Sequence, residues 1–141
     1  MLSLSHSGYG YSKHRCADVT NWFISKYMPR HKLDIHIHHR GMKRDNVYGW
    51  VWAEDCDYRP RTFEIEMRSN MREEEYIKIL FHELWHVYQH VKGMLKDKYG
   101  KRLWKGVDMT EMDYELRPWE KEAQEMEDKL YSLFKMEKHR I

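Results

Sequence analysis

The stretch Asn70-Met71-Arg72-Glu73-Glu74-Glu75-Tyr76-Ile77-Lys78-Ile79-Leu80-Phe81-His82-Glu83-Leu84-Trp85-His86-Val87-Tyr88-Gln89-His90-Val91-Lys92-Gly93 decides the fold. Ile77, Leu80, Leu84, Val87 and Val91 recur at the three- and four-residue intervals of one helix face, which predicts a buried stripe. Asn70 and Glu73 have the spacing of a capping box, and Glu73, Glu74 and Glu75 lie where a helix N-terminus favours negative charge. The helix is therefore expected to start near Met71 and to stop at Gly93.

Upstream of this helix the pattern changes to period two. Leu33 to Arg40 alternates Leu33, Ile35 and Ile37 with Asp34, His36 and His38, and Thr62 to Arg68 alternates Phe63, Ile65 and Met67 with Glu64 and Glu66. Val47 to Glu54 reads as a third strand between them. Gly41, Asp45-Asn46 and the Asp55 to Pro60 segment supply turn residues, so a three-stranded antiparallel meander is expected. Before it, Val19, Trp22, Phe23 and Tyr27 keep helical spacing from Cys16 to Met28, where Pro29 ends the run. Residues 1 to 12, rich in Ser, Gly and Tyr without a period, read as a loose arm. Downstream, Lys96 to Thr110 reads as a loop or short hairpin. Pro118 suits the first position of a last helix with the stripe Trp119, Ala123, Met126, Leu130 and Leu133. The expectation is one α+β domain over residues 1–141, ordered helix, three-stranded antiparallel sheet, central helix and C-terminal helix.

Two histidines four apart on a helix project from one face and suit two tetrahedral positions of one Zn²⁺, so His82 and His86 are candidate ligands. Leu84, halfway between them, points the other way and fastens the helix to the core. Glu83 is placed to take a proton from water activated by the metal. A catalytic zinc needs a third protein ligand and an open position. In Arg117-Pro118-Trp119-Glu120-Lys121-Glu122-Ala123-Gln124, Glu120 is the leading candidate, Ala123 permits close approach and Gln124 is placed to hydrogen-bond a ligand. Glu122 stays open as the alternative, since it lies nearer the apolar stripe. Both glutamates also complement a helix dipole. Three ligands from one straight helix close poorly around a tetrahedral ion, which ranks His90 below both. His36 and His38 share a strand face and read as polar surface in preference to a second metal site. Tyr114 is a candidate oxyanion donor, with packing as its ordinary role.

Phe81-His82-Glu83-Leu84-Trp85-His86-Val87-Tyr88-Gln89, Leu103-Trp104-Lys105-Gly106, Tyr114 and Pro118-Trp119-Glu120-Lys121-Glu122-Ala123 resemble the small metallopeptidases often encoded by bacteriophages. Gly49-Trp50-Val51-Trp52 and Arg59-Pro60-Arg61-Thr62-Phe63-Glu64-Ile65 resemble the strands preceding the helix in those proteins. The Glu-x-x-Ala segment is similar to the third-ligand helix of gluzincins, including neprilysin-like and ImmA/IrrE-like peptidases, with Gln124 where many carry Asp or Asn. The resemblance implies a minimal zincin-like fold, one catalytic Zn²⁺ on His82, His86 and Glu120, Glu83 as catalytic base, and peptide-bond hydrolysis. By analogy with zincins, the strand Phe63 to Arg68 is expected to be the cleft edge that pairs with an extended peptide or protein substrate.

Two other readings compete. One is a zinc-binding interaction module without catalysis, and the other is an SprT-like protease acting near DNA. Lys plus Arg number 25 and Asp plus Glu 23, so the charge of +2 gives no field that would gather nucleic acid or an anionic membrane. Cys16 and Cys56, far apart, indicate neither a disulfide framework nor a zinc ribbon. The N-terminus lacks a secretory h-region and no stretch is apolar enough to cross a bilayer. A cytoplasmic protein is expected, in the host cytoplasm if a phage encodes it.

Overall fold

The computed structural model describes residues 1–41, 48–54 and 60–138. Within them the strands β1 (Leu2–Gly8), β2 (Leu33–Arg40), β3 (Gly49–Ala53) and β4 (Thr62–Arg68) form one sheet in the order β1-β2-β4-β3. The helices α1 (Lys13–Tyr27), α2 (Glu73–Val91) and α3 (Pro118–Lys138) complete the main body. A smaller antiparallel sheet of β5 (Leu95–Lys98), β6 (Lys101–Trp104) and β7 (Val107–Asp108) separates α2 from α3. The chain is thus α+β, but the connections of its main sheet differ from a meander.

The three expected strands do share that sheet, yet β2 and β4 run parallel and only β3 and β4 are antiparallel. Period two specifies which face of a strand is buried and says nothing about its direction. The segment expected to be a loose arm is strand β1, parallel to β2 with Leu2 opposite Leu33 and Leu4 opposite Ile35. Parallel neighbours need a long crossover, and α1 supplies it, capped by the Ser12 side chain on the Arg15 N–H. Gly8 closes β1 with φ +100°, where an added Cβ would run into the His39 carbonyl oxygen. Only glycine fits there.

Alternation divides the sheet into two faces. Leu33, Ile35, Ile37, Phe63, Ile65 and Met67 point inward and join Val19, Phe23, Ile77, Leu80, Phe81 and Leu84 in one core. On the outer face Ser5 and Ser7 hydroxyls bond His36, and Ser7 also bonds His38. These histidines are therefore surface polar groups, as the strand pattern indicates.

Helix α2 packs against α1, β3, β4 and α3, which makes it the central element. The expected Asn70 capping box does not form. Asn70 has φ 62°, the helix begins at Glu73, and its N-cap is Arg72 with no side-chain cap bond. Its C-terminus follows the expected glycine signal: Gly93 has φ +78°, its N–H reaches the His90 carbonyl, and the Met94 N–H reaches the Gln89 carbonyl. In α3, Pro118 takes the first position, and Phe134 fills the core place expected for Leu133, which is half-buried. Leu95, Trp104 and Trp119 form a second small cluster between the β5–β7 sheet and α3. No helix among the described residues is long and apolar enough to cross a membrane. Cys56, the expected turn at Asp45-Asn46 and the expected first strand residue Val47 lie outside the described residues.

Candidate metal centre

The stripe that buries Leu84 turns His82 and His86 toward α3, whose first turn presents Glu120. His82 Nε2 lies 3.0 Å from Glu120 Oε2 and His86 Nε2 lies 3.0 Å from Glu120 Oε1. One donor atom from each of the three side chains falls within 4.8 Å of the others. His82, His86 and Glu120 therefore form a cluster able to hold a metal ion, drawn from two helices as a tetrahedral ion requires.

The outer nitrogens of both histidines are fixed by neighbours. His82 Nδ1 is 3.1 Å from Glu127 Oε2, two turns beyond Glu120 on α3. His86 Nδ1 is 2.7 Å from Gln89 Oε1. The Gln89 amide cannot turn over without loss, because its Nε2 donates to the Trp119 carbonyl at 3.0 Å and to Glu122 Oε1 at 3.2 Å. Nδ1 of each histidine thus faces an acceptor outward, which would leave Nε2 to a metal ion once the proton that His82 Nε2 shares with Glu120 Oε2 at 3.0 Å is displaced. His86 Nε2 is buried and makes no hydrogen bond, with Glu120 Oε1 3.0 Å away. Inward-facing nitrogens, one orphaned, beside a carboxylate make a donor set that fits Zn²⁺.

The electrostatics favour positive charge at this point. Burial alone would lower the pKa of His82, but hydrogen bonds to Glu120 and Glu127 and the nearby Glu83 outweigh it and push it up to about 10. Burial would raise Glu120, yet His82 and His86 hold its carboxyl well below the usual carboxylate range. Glu83 behaves differently. It is buried, its Oε2 has no hydrogen-bond partner, and burial raises its pKa against the opposing pull of His86 and His82. Gly49 of β3 makes room for it: a Cβ there would meet Glu66 O at 3.1 Å, Met67 Sδ at 3.2 Å and Glu83 Cγ at 3.3 Å.

A cleft of about 590 Å³ opens over the cluster, with His82, Glu83, His86 and Glu120 in its lining. Tyr48, Gly49, Trp50 and Val51 form one wall. This corrects the expected cleft edge: β4 lies inside the sheet, between β2 and β3, and among the described residues the outer strand beside the cleft is β3. Tyr114 lies in a 3-10 turn (Tyr114–Leu116) and its hydroxyl donates to Glu120 Oε2 at 3.0 Å. Burial and the Glu120 carboxylate raise its pKa to about 12.

The other candidates separate cleanly. Glu122 accepts from Trp85 Nε1 at 2.7 Å as well as from Gln89, so it braces α3 on α2 and stands outside the metal cluster. Gln124 lines the cleft, while the bond from α3 to His82 Nδ1 comes from Glu127. His90 lines the cleft beside Phe63 without joining the cluster. Glu127 and Gln89 escape a reading centred on the motif, but helical spacing points to both: Gln89 is three residues from His86, and Glu127 is seven from Glu120. Comparison of the chain with protein-family models, curated proteins and solved structures gave no match.

Proposed function

We propose that this chain is a zinc metallopeptidase of minimal zincin type, in which His82, His86 and Glu120 hold one Zn²⁺ and Glu83 is the general base. The observation that carries the reading is the convergence of two oriented imidazoles and one carboxylate on a cleft floor that also holds a buried carboxyl of raised pKa. A zinc ion in that position supplies Lewis acidity toward a substrate carbonyl and acidifies water at neutral pH.

The chain's own groups account for the rest. Glu83, poorly solvated and without a partner on Oε2, accepts a proton from water and returns it to the departing amine. Tyr114, whose hydroxyl rests on Glu120 beside the cleft, turns that single donor to the oxygen that gains charge on the attacked carbonyl. Strand β3, the outer strand of the sheet among the described residues, offers backbone donors and acceptors to an extended peptide beside the cleft. The test is chelation: zinc-free protein should lose cleavage of an unfolded casein-type substrate and regain it on adding one equivalent of Zn²⁺. Cleavage that persists in the zinc-free protein rules the proposal out.

A further inference from the structure

The whole-chain charge of +2 conceals an uneven distribution. Residues 95 to 108, which form β5 to β7, carry five cationic and two acidic side chains, leaving the remainder of the chain net acidic by one. The tip of this hairpin, Lys98-Tyr99-Gly100-Lys101, goes against two local rules at once. Lys98 and Lys101 are paired directly across the strands, where like charges repel, with Asp108 Oδ2 4.0 Å from the Lys101 ammonium as a partial counter-charge. Tyr99 takes φ 53° and Gly100 φ 77° in the two-residue turn, and the first of these positions suits Asn, Asp or Gly far better than an aromatic. Tyr99 gains no burial in return, being 89% exposed. Sequences depart from local preference in this way chiefly where a surface has work to do.

The base of the same hairpin reaches the metal centre: Leu95 and Arg102 line the cleft. Arg102 is already bound bidentately by Asp97 at 2.7 and 2.8 Å. The cleft lining mixes Glu83, Glu120 and Glu127 with His82, His86, His90 and Arg102, and so has no single-sign charge to select acidic side chains by itself. At the rise of a strand, the tip lies about 10 Å beyond Leu95, some three residues of extended peptide.

We infer that the Lys98–Lys101 tip, with Tyr99 between the lysines, is a docking point for an acidic segment of the substrate lying about three residues from the bond held in the cleft. The inference rests on the peptidase reading and narrows its substrate class to chains with a run of Asp or Glu outside a neutral cleavage region. Two lysines and one aromatic on a two-residue turn make a point contact and lack the long cationic track that follows a phosphate backbone.

Fluorescence anisotropy on the full zinc-loaded chain tests this with two labelled peptides, identical except that a flanking run of Glu in one is Gln in the other. The acidic peptide should bind about fivefold more tightly at low salt, as expected of two exposed charge pairs. K98Q/K101Q should erase the difference and K98E/K101E should reverse it, with affinity for the Gln peptide unchanged. Equal binding of both peptides by the wild type, or a preference that survives K98E/K101E, would overturn the inference. So would tip-dependent binding of a DNA oligonucleotide without tip-dependent binding of the acidic peptide. Zinc content and cleavage of the Gln peptide, measured on the same samples, report failure of the peptidase reading separately.

Discussion

Glu127 Oε2 stands 3.1 Å from Nδ1 of His82, on the opposite side of the imidazole from Glu120. A carboxylate there fixes the tautomer and strengthens the ring as a donor, and losing such a partner commonly costs ten- to a hundredfold in metal affinity. Glu127→Ala is expected to weaken zinc binding by about that factor, with Glu127→Gln losing less, in a competition titration against a chelating dye. Unchanged affinity in Glu127→Ala would show that the contact does not serve the metal.

The two glutamates of the first turns of α3 should separate by variant. Glu120→Ala removes a member of the cluster and should abolish stoichiometric zinc binding. Glu122→Ala leaves Trp85 Nε1 without its acceptor and Gln89 Nε2 with the Trp119 carbonyl alone. It should keep one zinc per chain yet lower stability by about 1–3 kcal/mol in urea unfolding. The reverse pattern would move the third ligand to Glu122.

Gly49→Ala tests the packing of β3 against the base. Its new Cβ would press on Glu66 O, Met67 Sδ and Glu83 Cγ, all within 3.3 Å. A cost of about 1–3 kcal/mol in stability is expected from overpacking. The kcat for peptide cleavage should fall while zinc content holds, because the pressure falls on Glu83 and spares the ligands.

Far from the cleft, His39 sets a pH limit on the fold. Its ring is buried, stacks on Tyr11 and bonds the Tyr76 hydroxyl at 2.8 Å and the Ser7 carbonyl at 3.0 Å. Burial, with smaller contributions from His6, His38 and His36, lowers its pKa to about 4, against the raising effect of the Ser7 carbonyl. The unfolded chain therefore binds more protons between about pH 6.5 and 4, so stability from this residue is present above 6.5 and is lost as pH falls through that window. As much as about 3 kcal/mol is at stake. Urea unfolding at pH 7 and pH 4.5 should show a smaller difference in His39→Gln than in the wild type.

What the sequence made legible follows from local physics. The stripe of α2, the proline start of α3 and the histidine pair depend on helical spacing within one segment. Strand direction does not, so the parallel pairing of β1 with β2 and of β2 with β4 stayed hidden: each needs a partner about thirty residues away. Leu2 and Leu4 are too few to mark β1 by alternation. The Asn70 cap failed because a single residue at φ 62° redirects the chain, and spacing alone cannot reveal that. The choice between Glu120 and Glu122 was open for a related reason. Glu122 lies nearer the apolar stripe of α3, and it does lie against buried Trp85, but as a hydrogen-bond brace.

Glu83 carries the central claim, and its removal tests that claim most directly. Wild type and Glu83→Gln should each contain one zinc per chain, and only the wild type should cleave an unfolded casein-type protein, the variant losing at least about a hundredfold in kcat. Equal cleavage by the two proteins, or a wild type that binds no zinc, would contradict the account.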